Sequence, residues 1–567
     1  MVKRRAGSDG SSRAEGVRTP RLGAVVASLA ALAVSAGLLR AQQPLQTIGS
    51  VYQPGVDVLD YDVRLELPDT GAFLRGDVTI TARRAPSTTR LRLDLVDSMH
   101  VRVVEVDGRR VRAPHSGNSL DVLLPASAGD SVRVRVVYDG MVRDGLIVRR
   151  DDKGRWTWFG DNWPDRARHW LPTVDHPSDK ATVSWTVRSP ERNVVVANGE
   201  PLGAIHLTTG GRRLLQTRWR ESRPIATYLM VIAAAPLIRY DLPSSACHRG
   251  ESGECVQQSV FVLPENRGWL PGIFAATDRI MSLFERLVAP FPYEKLAHVQ
   301  SSTQFGGMEN ASAIFYDGAL FPAQKVTDGL LAHEMAHQWF GDAVTEREWG
   351  HLWLSEGFAD FFAARWTLEA HGDSAYRAAL AKLRAKVLGD SVVPLRPVID
   401  MAQTDYMALL NANSYDKGGF VLSMLHRELG DSAFFRGIRS YYDAHRHGNA
   451  VSDDLRAALE RSSGRSLAQF FDQWLRRPGY AEPSLGWAYD ASGGTVSVFA
   501  LQDGRFGAFA LPLTVVVQEG NDVMRRLVVD IPAEPRATVP LPGRFSRRPT
   551  SISFDPDSTL LARISPL

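Results

Sequence analysis

Cysteine is almost missing from this chain: Cys247 and Cys255 are the only two in 567 residues. So small a supply argues against a cysteine-built zinc site, which draws several ligands from thiolates. There is no repeat period and no long low-complexity tract, which sets aside solenoid arrays and wholly disordered chains. No basic cluster is interleaved with aromatic residues, so nothing points to nucleic acid. One apolar run alone approaches membrane-spanning length, "LGAVVASLAALAVSAGLL" at 22–39. An excess of one charge is also lacking. The formal net charge of +3 comes from the first 41 residues, which hold seven basic and two acidic side chains and leave the remainder at −2.

What is present is globular: 44% hydrophobic and 23% charged residues, on a chain long enough for several domains. The basic segment, the apolar run and the small residue Ala41 before "QQP" predict an export signal over 1–41. Left uncleaved, the same run would anchor the protein in a membrane. The expected location is periplasmic or extracellular, and a membrane contact is expected only in the anchored case. Cys247 and Cys255 bracket the polar loop "HRGESGE". In an oxidising compartment they can close a small disulfide ring; the alternative is a pair of free surface thiols.

From about Asp57 to Arg239 apolar and polar residues alternate. Val63, Leu65 and Leu67 are separated by Arg64 and Glu66, and Val132, Val134 and Val136 by Arg133 and Arg135. Pairs such as Asp107-Gly108 and Asp139-Gly140 read as turns. This predicts half-exposed antiparallel sheet over 42–245. From about Trp269 the period becomes helical, with Thr327 and Ser452 as expected N-caps, and 246–481 reads as mostly α. Alternation returns beyond Glu482, with a hairpin near Gly520-Asn521, so 482–567 reads as a small β-sandwich.

Within the helical part lies "HEMAHQWFGD", residues 333–342. Four helical residues advance about 400°, so His333 and His337 lie within about 40° of each other and can meet one ion. Glu334 flanks that face, where a carboxylate can meet an attacking water. Nineteen residues after His337 comes Glu356, in "HLWLSEGFAD", on a second expected helix. Two histidines and a carboxylate are a catalytic zinc set with one position open, which predicts one Zn2+ per chain. Asp342 and Asp360 are placed either to orient the ligands or at the surface.

"HEMAHQWFGD" with "WLSEGFADFF" resembles peptidase family M1, the zinc aminopeptidases typified by aminopeptidase N. Further stretches agree: "QFGGMEN" (Gln304 to Asn310), "NSYDKGGFVLSML", "ARHWLPTVDHPSDKATVSWTV" and "FFDQWLRRPGY". The resemblance spans about residues 45–480. It implies a multidomain α+β fold with an N-terminal β-domain, a thermolysin-like catalytic domain and the β-sandwich, here without the large helical C-terminal domain that many relatives carry. It implies Glu334 as general base, Tyr415 as donor to the oxyanion, and Glu309 as anchor for the substrate's free α-ammonium. Gly306, Gly307 and Met308 then line an edge along which a peptide lies.

The sequence departs from the pattern at several places. Trp163 stands where a second amine contact is common, which leaves Asp161 or Asn162 to substitute or the contact missing. Ala311 and Ser312 replace a common Trp-Gly, and Ala363 a common Glu. The expected activity is removal of N-terminal residues from peptides with a free N-terminus. A zinc endopeptidase with the same ligands is the alternative. A non-catalytic scaffold is disfavoured because His333, Glu334, His337, Glu356 and Tyr415 are all present, and the motifs leave a lipid-epoxide hydrolase side activity open. Oligomeric state is not legible.

Overall fold

The computed structural model describes residues 53–567 apart from 127, 245, 246, 252, 521 and 522. The expected leader and Asn521 of the C-terminal hairpin lie outside the described residues. No helix among the described residues is long and apolar enough to cross a membrane.

Alternation produces strands as expected. In Val56–Glu66, Val63 and Leu65 are buried, and Leu67 just beyond is buried too. In Ser131–Met141, Val132, Val134 and Val136 point inward while Arg133 and Arg135 point out. Both belong to an eight-stranded sheet. Two details depart from the antiparallel, turn-punctuated reading. Val56–Glu66 runs parallel to Lys180–Pro190, with Val63 opposite Trp185. A period of two reports which face is buried and is identical for both strand directions. Asp107-Gly108 does form a turn, linking Val106 to its partner Arg109. Asp139-Gly140 does not: it lies inside Ser131–Met141, where a Cβ on Gly140 would collide with the Ser98 carbonyl and Met99. That glycine serves close backbone approach rather than a turn.

A second, five-stranded sheet carries Gly307–Met308 at its edge. Its order is Ile238–Asp241, Gln257–Val262, Lys295–Ser301, Ala313–Asp317, Gly307–Met308. Lys295–Ser301 is buried at every position and parallel to both neighbours, as expected for a strand covered on both faces. The two-residue strand Gly307–Met308 closes the edge, antiparallel to Ala313–Asp317. Cys247 and Cys255 are bridged, with Cα atoms 5.0 Å apart. Breaking the bridge by Cys247→Ala with Cys255→Ala should lower stability by about 2–3 kcal/mol. A denaturant titration reads this, and an unchanged midpoint would leave the ring without a stabilising role.

The helices that matter are Thr277–Leu287, Asp328–His337, Trp353–Gly389, Gly418–His445 and Ser452–Ser463. Thr327 caps the second of these, its side chain accepting from Leu330 N at 3.2 Å. Ser452 does not act as the expected cap. It is the first helical residue, and the cap position is Val451, whose N–H donates to Asp454 Oδ2 at 2.9 Å. The Ser452 hydroxyl is engaged instead by Trp353 Nε1 and His351 Nδ1, each at 2.8 Å. Beyond residue 483 the chain forms a four-stranded and a three-stranded sheet. In the latter, Leu511–Glu519 pairs antiparallel with Val523–Ile531.

Candidate active site

The helix Asp328–His337 lies beside the start of Trp353–Gly389, and Glu356 falls in the first turn of the latter. Their side chains converge. His333 Nε2 and His337 Nε2 are 3.2 Å apart, and each is 3.3 Å from Glu356 Oε2. These are the separations of ligands held about 2.0–2.1 Å from one tetrahedral ion.

Hydrogen bonding fixes which nitrogens face inward. His333 Nδ1–H donates to Asp360 Oδ1 at 3.0 Å. His337 Nδ1–H donates to the Phe340 carbonyl at 3.3 Å and reaches Ser355 Oγ at 3.0 Å. Both Nε2 lone pairs therefore point at the same spot as Glu356 Oε2, a buried oxygen with no hydrogen-bond partner. Three convergent acceptors repel one another unless a cation sits among them, and the donor set of two imidazoles and a carboxylate suits zinc. The charges agree. Burial alone would raise the Glu356 carboxyl, but the two imidazoles hold it below the ordinary carboxylate range. Burial alone would lower His333 and His337, yet the facing carboxylates lift both. The spot favours positive charge.

Tyr415 sits in a π-helical turn, Asn413–Lys417, ahead of Gly418–His445. Gly357 and Gly418 bring that segment against the Glu356 helix in backbone contact that no Cβ would permit. The Tyr415 hydroxyl consequently donates to Glu356 Oε1 at 2.8 Å, and its ring lies parallel to His333 with centroids 6.2 Å apart. Glu334 is 4% exposed. Its carboxyl packs against Gly307, where any Cβ would overlap the carboxyl atoms. Gly306 faces open space. The two glycines of "QFGGMEN" thus differ: one borders open space, the other makes room for Glu334.

Both glycines, Met308, Glu309, the three convergent ligands and Tyr415 line one cleft of about 500 Å³. Glu309 is buried, which pushes its carboxyl up to about 7; His337 opposes that rise, while Glu356 and Glu334 add to it. Trp163 forms part of the apolar wall, edge-on to Phe305 and Trp349 at 6.2 and 5.4 Å. Neither Asp161 nor Asn162 lines the cleft. Asp161 is buried against Arg166 and Thr303, at 2.7 and 3.2 Å. Asn162 bridges the Met230 carbonyl and Trp170 Nε1, at 2.7 and 2.8 Å.

Of the two aspartates offered as orienting groups, Asp360 holds His333. The Asp342 side chain bonds neither histidine nor Glu356 and is not at the surface: it is fully buried and accepts from Gln338 Nε2 at 2.8 Å, while the backbone N–H of Asp342 donates to the His337 carbonyl at 3.0 Å. Ser355 and Lys180 were not anticipated. Lys180, within the stretch "ARHWLPTVDHPSDKATVSWTV", is buried, and its Nζ donates to the carbonyls of Asp342, Ala343 and Gly448 at 2.8–3.1 Å. It ties the eight-stranded sheet to the turn that follows His337. Its place in that family-like stretch was a signal, though one without a stated role. Ser312 adopts φ +61, which explains why glycine is common there. Its Oγ compensates by accepting from Gly199 N at 2.7 Å.

Comparison with known proteins agrees with this geometry. The description "Peptidase M1 N-terminal domain" matches residues 58–229, and "Peptidase family M1 domain" matches 274–474. The Tricorn protease-interacting factor of Thermoplasma acidophilum is 26% identical, over 83% of this chain and 59% of its own length. Aminopeptidase N of Streptomyces lividans is 28% identical, over 56% of this chain and 37% of its own. A crystal structure of a mutant M1 zinc metallopeptidase from Deinococcus radiodurans with a Tyr-Ser-Ala substrate shares 27% identity. It superposes with a TM-score of 0.64, covering 75% of this chain and 94% of that one. This chain spans about half the length of the curated relatives it matches. With its β-rich N-terminal part, its helical region and both family descriptions in register, the chain belongs to peptidase family M1.

Proposed function

We propose that this protein is an exported zinc aminopeptidase, which hydrolyses the first peptide bond of peptides with a free N-terminus. One observation carries the reading: the buried carboxylate of Glu309 shares a cleft with the convergent atoms of His333, His337 and Glu356. The disulfide supports an oxidising location. A zinc ion held by the three ligands supplies Lewis acidity toward the scissile carbonyl and acidifies water.

The remaining work falls to side chains. Asp360 and the Phe340 carbonyl hold the imidazole tautomers. Glu334 Oε takes a proton from the attacking water and returns it to the leaving nitrogen. The Tyr415 hydroxyl turns from Glu356 toward the developing oxyanion. Glu309 pairs with the α-ammonium, whose charge draws its carboxyl down from about 7 into the ionised state. The peptide backbone then lies along Gly306.

The direct test is a time course on a peptide of ten or so residues, free and N-acetylated, with and without chelator, read by mass spectrometry. Successive N-terminal losses from the free peptide alone are expected. Internal fragments, or equal cleavage of the acetylated form, would favour an endopeptidase. Glu309→Ala should reduce kcat/KM on free-amine substrates by roughly 10²–10³, about 3–4 kcal/mol, because a buried ammonium loses its partner. Gly307→Ala should displace the Glu334 carboxyl and lower kcat roughly 10²-fold with zinc retained. An active Gly307→Ala enzyme would show that the carboxyl has room to relax.

A further inference from the structure

We propose that Gln338 is a positioning residue. Its side-chain amide sets the placement of Glu309 relative to the metal-binding helix and so enforces the choice of a free N-terminus. The proposal rests on Glu309 being the amine anchor. Gln338 follows His337 directly and is fully buried. Its Nε2 donates to the backbone carbonyl of Glu309 and to Asp342 Oδ2, each at 2.8 Å, while its Oε1 accepts from Ser312 N at 2.8 Å. One amide thereby joins the end of the His333/His337 helix to both ends of the segment 309–312, through one N–H and one lone pair, while its second N–H is held by Asp342.

That segment needs holding. It leaves the sheet edge at Met308 and passes through the left-handed backbone of Ser312. From the far side it is gripped by Asn198 Nδ2 on the Ala311 carbonyl at 2.8 Å, by Gly199 N on Ser312 Oγ, and by Lys295 Nζ on the Ser312 carbonyl, the last two at 2.7 Å. These contacts fix the segment to the β-sheets. Gln338 fixes it to the helix that carries Glu334 and His337. Removing the Gln338 donors leaves a buried carbonyl unpaired and frees the Glu309 backbone to shift. An exopeptidase measures one residue between amine and scissile carbonyl, so a small displacement there is costly.

The test uses full-length Gln338→Met, which keeps length and burial, and Gln338→Glu, which keeps shape but replaces the two N–H donors with at most a single O–H. Zinc content and thermal midpoint are recorded for both. Inhibition constants are then measured for an amino-acid hydroxamate and for its desamino counterpart, which binds metal but has no amine. In wild type the amine should improve affinity clearly. In both variants that gain should fall by about tenfold or more, KM for an amino-acid amide should rise more than kcat falls, and the desamino compound should bind unchanged. Equal affinity of the two compounds for wild type would overturn the amine-anchor reading itself. An intact amine gain in zinc-loaded variants, or a uniform loss for both compounds, would overturn the role of Gln338. If Gln338→Met does not fold, Gln338→Glu carries the same comparison.

Discussion

Glu334→Gln should bind its metal normally and lose roughly 10²–10⁴ in kcat, about 3–5 kcal/mol of barrier. The amide is nearly isosteric with the carboxyl it replaces, so it still fits beside Gly307 and leaves His333, His337 and Glu356 undisturbed. Basicity is what it lacks. In the native protein burial raises the Glu334 carboxyl above its ordinary range, with His333 and His337 opposing. A carboxyl so raised is a better proton acceptor than an ordinary one. Metal analysis at one zinc per chain, measured on the sample assayed for turnover, separates loss of base from loss of site. Turnover within about tenfold of wild type would remove Glu334 from proton transfer, since a positioned base is worth more than that.

Tyr415→Phe should lower kcat by roughly 10²–10³ while KM stays nearly constant, because the missing donor acts in the transition state. The ring that lies parallel to His333 is retained, so the change isolates the hydroxyl. That hydroxyl stays protonated: burial raises it well above its ordinary value, and the neighbouring Glu356 raises it further. It is therefore a donor at every working pH, as stabilising an oxyanion requires. Its native partner, Glu356 Oε1, would be left with one donor fewer, a modest loss beside a cation-binding group. Unchanged kcat would return Tyr415 to a packing role.

The sequence was most legible where the information is local. His333 and His337 share a face because a helix turns every 3.6 residues, and Thr327 caps that helix as its side chain dictates. It was least legible where a local signal had two uses. Asp139-Gly140 carries turn chemistry, yet Gly140 is there to let Ser98 and Met99 approach. Ser452 is a good cap by type, but Trp353 and His351 claim its hydroxyl from about 100 residues away. Asp161 and Asn162 were available by charge and by neighbourhood to Trp163; their partners Arg166, Thr303, Met230 and Trp170 take them out of the cleft.

By itself, the sequence determined the candidate donor set of two imidazoles and a carboxylate, the placing of the Glu334 carboxyl beside them, the sheet-to-helix-to-sheet order and the presence of a cysteine pair in a short loop. Each follows from residue type and from spacing read along the chain. Only the tertiary structure decided that Asp360 rather than Asp342 holds a ligand, that Ser355 serves the other histidine, and that Gly307 exists for Glu334. It alone decided that Lys180 and Gln338 tie the His333/His337 helix and the turn after it to the β-sheets. Those relations join residues up to 163 positions apart. No period along the chain encodes which buried face meets which, and a buried polar side chain takes whichever unpaired backbone group the packing brings to it.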